Sequence, residues 1–182
     1  MNENTRQQLD HFFSQLETQA YKMAYVLTQN RDDALELVQD SMLKLVQSYA
    51  HKPSEEWRLL FFRILQNRIR DFHRRQSLSR LFTIFQPNSG KTNDEQISEA
   101  PDLKQQTPQQ RLELSCQIKQ LNVALNSLPL RQQQTFLLRA WQQFSTCETA
   151  YALGISEGSV KTHLSRALNQ LRNKLGDEYE EL

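Results

Sequence analysis

Three observations predict an all-α fold, made of two small helical domains joined by a flexible linker. Glycine and proline are scarce, four and five in 182 residues, which permits long helices and leaves few of the turns an all-β chain needs. Apolar residues recur at three- and four-residue spacing over most of the chain, as they do along the buried face of a helix. That periodicity lapses over residues 77–106, where one short apolar patch gives way to Pro, Asn, Ser, Gly and acids. A stretch of that composition cannot bury enough apolar surface to order itself. The expected division is therefore a domain at 1–76, a linker at 77–106 and a domain at 107–182. A flexible linker of this length has a root-mean-square span of roughly 30 Å.

Composition narrows the partners. Apolar residues make up 38% of the chain and mean hydropathy is −0.70, which suits small helical domains with large surfaces. The net charge of +1 hides segregation: residues 51–80 carry a net +5, residues 1–50 a net −3, and residues 177–182 read DEYEEL. Two basic surfaces and an acidic one point to polyanion contacts in two places. Cys116 and Cys147 are too few and too far apart for a disulfide framework or a zinc site, and they suit reduced thiols in the cytoplasm. His11, His51, His73 and His163 are scattered, which argues against a metal cluster. No apolar run reaches membrane-spanning length and no signal-peptide pattern opens the chain, so no membrane insertion is expected.

The first helix, roughly residues 5–29, is read from Leu9, Phe12, Phe13, Leu16, Ala20, Met23, Ala24 and Leu27. After a polar break at Asn30–Asp33 a second helix runs to about Tyr49, with Ala34, Leu37, Val38, Leu45 and Val46 as core contacts. Its acidic start suits the helix dipole. The outward face holds Asp33, Glu36, Gln39, Asp40 and Lys44; on charge alone, solvation explains it better than a partner does. Tyr49–Glu56 reads as a loop, with Ser54 capping a third helix over Glu55–Gln76. That helix has a core stripe of Trp57, Leu60, Phe61, Ile64, Leu65, Ile69 and Phe72. Around it lie Arg58, Phe62, Arg63, Arg68, Arg70, Arg74 and Arg75, a basic face with an aromatic on it. Such a surface suits nucleic acid, because arginines meet phosphates and rings stack on unpaired bases. Phe62 and Tyr49 are the aromatics expected to be available for that contact.

Beyond the linker, Thr107-Pro108-Gln109-Gln110 has a capping residue followed by proline at the first helical position. A helix through Leu112, Leu114, Ile118, Leu121, Val123 and Leu125 ends before Pro129, and Arg131–Gln142 forms another. Ser145-Thr146-Cys147-Glu148 has the Ser-x-x-Glu form of a capping box and opens a short helix to Leu153. Gly154 breaks it and Ser156 caps the next. Val160, Leu164, Ala167, Leu168, Leu171 and Leu175 then form an apolar stripe, opposite Ser159, Lys161, Thr162, His163, Ser165, Arg166 and Asn169. Those polar side chains suit base edges and phosphates. Short helix, glycine turn, longer helix with a polar face: this is a helix-turn-helix whose second helix fits the major groove. A plain helical hairpin with a solvated face is the competing explanation.

Taken together, Arg31–Val46, Glu56–Arg75 and Leu128–Arg172 resemble, in this order, the second helix of region 2, the promoter-melting helix, and region 4 of bacterial RNA polymerase sigma factors. The likeness is to the extracytoplasmic-function (ECF) branch and covers nearly the whole chain. It implies a factor, not an enzyme, that binds core polymerase and directs promoter recognition and transcription initiation. Its implied partners are the β′ clamp coiled coil and β subunit of core polymerase and promoter DNA, with an anti-sigma factor as a further candidate. No cofactor or metal is implied.

The resemblance also implies residue roles. Asp33, Glu36, Gln39, Asp40 and Leu43 fall where such proteins dock on polymerase, which reverses the preference for solvation. The loop with Tyr49, His51, Lys52 and Ser54 corresponds to the one that captures a flipped base. With Phe62, the residues Asn67, Arg70, Asp71, His73, Arg74 and Arg75 fall at the −10 element. Lys161, Thr162, Ser165 and Arg166 fall at the −35 element, with Glu157, Ser159 and His163 beside them, and Ser145 and Thr146 placed to hold a phosphate at a helix N-terminus. The chain departs from the family pattern in two places. Leu60-Phe61-Phe62-Arg63-Ile64 stands for the common Trp-Leu-Tyr-Arg-Ile, and Gln143-Phe144-Ser145 for Gly-Leu-Ser. Two rival functions remain: a one-component helix-turn-helix regulator, and a polymerase-gripping protein that reads no promoter.

Overall fold

The computed structural model describes residues 3–83 and 108–176, and within these the side chains of 3–79 and 117–176. The described residues form seven α-helices and no strand: α1 Glu3–Thr28, α2 Arg31–Tyr49, α3 Ser54–Thr83, α4 Pro108–Asn126, α5 Leu130–Phe136, α6 Thr146–Leu153 and α7 Glu157–Leu175. A π-helical turn, Leu137–Trp141, continues α5. Most of the expected linker, Leu112, Leu114 and the acidic residues 177–182 lie outside the described side chains. No described helix is long and apolar enough to cross a membrane.

Helices α1, α2 and α3 pack on one another around the expected stripes. Ala20, Met23 and Ala24 from α1, Ala34 and Leu45 from α2, and Phe61, Leu65 and Ile69 from α3 have no exposed surface. Trp57 is 2% exposed and meets Phe12 edge-on at 5.9 Å, filling a core site as its spacing suggested. Asn30 starts α2 as its N-cap, its Oδ1 accepting from the amides of Asp32 and Asp33. Ser54 does not cap α3: it is the helix's first residue, and its hydroxyl meets Glu55 Oε1 at 3.3 Å. The helix also runs past the expected end at Gln76 to Thr83, because nothing in Ser77–Ser79 breaks it.

In the second half, α7 packs against α4, α5 and α6. Ala167 and Leu171 of α7 share a core with Phe136, Leu137, Leu138 and Leu153, and Val160 is also buried. Burial departs from simple hydropathy at four positions here. Val123, an apolar position of α4, is 72% exposed, whereas Gln132, Gln133 and Gln134 of α5 are buried. Two of the glutamines find partners inside: Gln133 donates to the Leu128 carbonyl at 2.7 Å and Gln134 to the Gln66 carbonyl at 3.3 Å. That last bond crosses between the two halves, which pack together through α3 on α6 and α1 on α4 and α5.

Candidate nucleic-acid and polymerase interface

The helix-turn-helix is assembled by three local devices. Ser145 Oγ accepts from the Glu148 amide at 3.1 Å while Glu148 Oε2 accepts from the Ser145 amide at 2.7 Å, a complete capping box. Gly154 ends α6 at φ +64°, a left-handed conformation that costs an L-residue side chain dearly. Ser156 then caps α7, its Oγ accepting from the Ser159 amide at 3.1 Å. With Val160, Ala167 and Leu171 buried, helical geometry turns Glu157, Lys161, Thr162, Ser165 and Arg166 outward, and all five are exposed. Thr162 Oγ1 donates back to the Gly158 carbonyl at 2.9 Å. Ser159 is half-buried, its hydroxyl 2.9 Å from that of Ser156. His163 is half-buried with Nδ1 enclosed and unpartnered.

At the start of α6 the picture differs from the expectation. Ser145 is exposed and Thr146 half-exposed, but the amide and hydroxyl of Ser145 are both committed to Glu148. The helix N-terminus therefore already holds an anion. Hydrogen bonds from the Ser145 amide and then its hydroxyl pull the Glu148 carboxyl below its ordinary pKa; partial burial opposes this, and Arg58 and Arg139 add to it. Glu148 is a charge that sequence reading assigned only to capping.

On α3 the exposed cations Arg70, Arg74 and Arg75 follow one another along its C-terminal half. Asp71, half-buried, pairs with Arg74 at 3.5 Å. Asn67 is half-buried. His73 Nε2 donates to the Leu27 carbonyl at 2.7 Å, which ties α3 to the end of α1. Tyr49, the last residue of α2, is half-buried; His51 and Lys52 of the loop and Ser54 at the start of α3 are exposed, and Lys52 pairs with Glu56 at 3.6 Å. Phe62 corrects the sequence reading. It has no exposed surface and meets Phe61 and Phe144 edge-on at 5.5 and 5.3 Å. Its position, at the edge of the α3 stripe beside Ile69, is covered by the second half of the chain, which periodicity within α3 does not reveal. Arg58 and Arg63, read as part of the basic face, are likewise engaged there, over the rings of Phe144 and Tyr151 at 4.5 and 4.2 Å.

On α2, Glu36, Gln39 and Leu43 are exposed at helical spacing, and Leu43 is 58% exposed, an apolar side chain left uncovered between polar neighbours. Asp33 is half-buried; Asp40, also half-buried, pairs with Arg68 of α3 at 2.6 Å. The three sets of candidate residues thus occupy three surfaces: an acidic stripe with one apolar residue, a cationic helix end, and a recognition helix.

Comparison with known proteins bears on these surfaces. The sigma-70 region 2 family model matches residues 12–78 and the sigma-70 region 4 family model matches residues 118–171. The chain is 29% identical over 162 residues to RNA polymerase sigma factor SigV of Bacillus subtilis, covering 87% of this chain and 85% of that protein. It is 28% identical over 169 residues to the ECF RNA polymerase sigma factor SigE of Mycolicibacterium smegmatis, covering 91% of this chain and 61% of that longer protein. Its fold is similar to that of the sigma factor RpoE from Bartonella quintana, solved with the anti-sigma factor NepR: TM-score 0.67, 21% identity, 92% of this chain and 98% of that one. With sigma-70 region 2 and region 4 both matched and likeness to sigma factors along nearly its full length, the chain belongs to the sigma-70 family of RNA polymerase sigma factors, and an ECF member is among the relatives it resembles.

Proposed function

We propose that this sigma factor divides its work among the three surfaces. The exposed stripe of α2, with Asp33, Glu36, Gln39, Asp40 and Leu43, grips the β′ clamp coiled coil. The loop with Tyr49, His51, Lys52 and Ser54 and the end of α3 engage the −10 element as it melts. The outward face of α7 reads the −35 element. The observation that carries this is α7 itself: Lys161, Thr162, Ser165 and Arg166 stand exposed on one face while Val160, Ala167 and Leu171 bury the other. No bond is made or broken in this scheme. Unstacking costs about 1–2 kcal/mol per base-pair step and is offset when bases and the displaced strand meet protein. The division 1–76, 77–106 and 107–182 goes with it, each end carrying one DNA element and polymerase joining them through effective concentration. The same chemistry locates the protein in the cytoplasm with its polymerase. An anti-sigma factor is a natural further partner, since the RpoE of similar fold was solved with one.

The test is run-off transcription by core polymerase on a promoter library, with and without the chain. Start-site selection that depends on the chain, and on both a −10 and a −35 element, is the expected result. A chain that neither binds core nor selects start sites refutes the assignment of surfaces.

A further inference from the structure

Helix α4 and the end of α7 hold an open groove of about 800 Å³ between them. Lys119, Val123 and Ala124 line it from α4, and Lys174, Leu175 and Gly176 from α7. Ala124 is buried and Leu175 half-buried, while Val123 is 72% exposed. A lone exposed valine is ordinary on a convex surface. Here it stands in a concavity beside Leu175, with a lysine from each helix at hand. Lys119 and Val123 lie one turn apart on the same face of α4. Neither Lys119 nor Lys174 pairs with an acid among the described residues. The groove is therefore matched to a segment that is acidic and also carries apolar side chains.

Such a segment starts at its edge. Asp177-Glu178-Tyr179-Glu180-Glu181-Leu182 follows Gly176 directly, four acids with Tyr179 and Leu182 three positions apart. Gly176 has φ +76° and ψ 177°, a conformation that almost only glycine takes up, so the backbone turns off the α7 axis at the groove itself. The helix dipole favours that turn. The C-terminal end of α7 carries partial negative charge, which repels acids placed beyond it on the axis. Six residues reach about 20 Å, whereas Lys119 and Val123 are only about 6 Å apart along α4.

The geometry points to this groove as the docking site of the chain's own acidic segment, residues 177–182. Its carboxylates meet Lys119 and Lys174, and Tyr179 and Leu182 cover Val123 and Leu175. Attachment in cis supplies an effective concentration in the millimolar range, so contacts that are individually weak suffice. The segment gates this face of α4, since any other protein that uses the face has to displace it first. This inference lies beyond the proposed division of surfaces and does not depend on it.

Paramagnetic broadening of methyl signals tests this on the full chain. A nitroxide goes on Glu181→Cys, with Cys116→Ser and Cys147→Ser to keep the label unique. The Val123 methyl signals are expected to be strongly quenched. Those of Val160, about 22 Å from Leu175 along α7, are expected to persist. Lys119→Glu with Lys174→Glu, both at exposed positions, should lower the docked-to-free ratio about tenfold. Adding Glu178→Lys and Glu180→Lys to that pair should restore the quenching, a recovery that general damage to the fold would not produce. Unquenched Val123 in the unsubstituted chain overturns the inference, as does quenching that charge reversal leaves unchanged. Mixing isotope-labelled chain without nitroxide and nitroxide-bearing chain without isotope separates the remaining case: quenching of Val123 in that mixture gives the groove to a second copy and overturns docking in cis.

Discussion

Gln143→Gly should stabilise the protein, and the size of the gain follows from the backbone. At the end of the π-helical turn, Gln142 is still right-handed (φ −88°, ψ −5°), and then Gln143 turns left-handed at φ +56°. That reversal lets the Phe144 amide donate to the Leu138 carbonyl at 3.0 Å, a widened form of the closure that ends many helices. A side chain in this conformation costs about 1–2 kcal/mol through its Cβ, while glycine forfeits about 0.4–1 kcal/mol through its freer unfolded chain. The Gln143 side chain is exposed, so little else is lost, and the net gain is about 0.5–1 kcal/mol. In a domain of this size that raises the midpoint by about 3–6 °C. Gln29 is the internal control. It has the same φ of +56°, but its Nε2 donates to the Val26 carbonyl at 2.7 Å and to Asn126 Oδ1 at 3.0 Å. Gln29→Gly relieves equal strain while removing both bonds, at about 1 kcal/mol each, and should be neutral or destabilising. Calorimetric melts of the two variants and the parent decide the matter. Equal shifts in both, or a lower midpoint for Gln143→Gly, would refute the strain argument.

Three other perturbations have equally definite outcomes. The Glu148 carboxyl titrates below its ordinary range in the folded state, so its contribution to stability is full above the unfolded pKa and is lost as pH falls through the folded one; Glu148→Gln, which keeps an accepting oxygen at the cap, should flatten that acid limb in pH-dependent denaturation. Arg166→Ala should weaken −35-dependent initiation by about 1–3 kcal/mol if it reads a base, or lower the slope of log affinity against log salt by about 0.9 if it meets a phosphate, with binding to core polymerase unchanged in both cases. Leu43→Ala removes the exposed apolar residue of the α2 stripe and should cost more than about 1 kcal/mol in core binding measured by competition, leaving the thermal midpoint within about 0.5 kcal/mol of the parent.

How much of this was legible in the sequence depended on how far each signal reached along the chain. Ser145-x-x-Glu148, Gly154 and Ser156 act within one turn of themselves, and each does in the structure what its residue type foretold. The stripes of α1, α2 and α7 were legible because each of these helices buries one face, and 3.6-residue periodicity reports a single buried face well. Ser54 was misread because a serine before a helical run signals a cap only if the backbone there is extended, and Pro53 already lets the helix begin at Ser54. For the acidic stripe of α2, the resemblance proposes docking where the charges alone favoured water.

What escaped the sequence lies where a helix is buried on a second side by a distant part of the chain. Phe62 lies at the edge of the stripe defined by Trp57, Phe61, Leu65 and Ile69, where arithmetic along α3 leaves its exposure open, and Phe144, 82 positions away, puts it inside. Gln66 and Gln134 escape for the same reason. A hydropathy pattern counts them as surface, yet the side-chain amide of Gln134 meets the backbone of Gln66 and the side-chain amide of Gln66 meets Met23 Sδ at 3.1 Å. A polar residue is stable inside only when a particular partner faces it, and no property of either segment alone names that partner. It follows that the sequence features best read in isolation are those that build each half, while those that join the halves read as solvent-facing polar or DNA-facing aromatic positions.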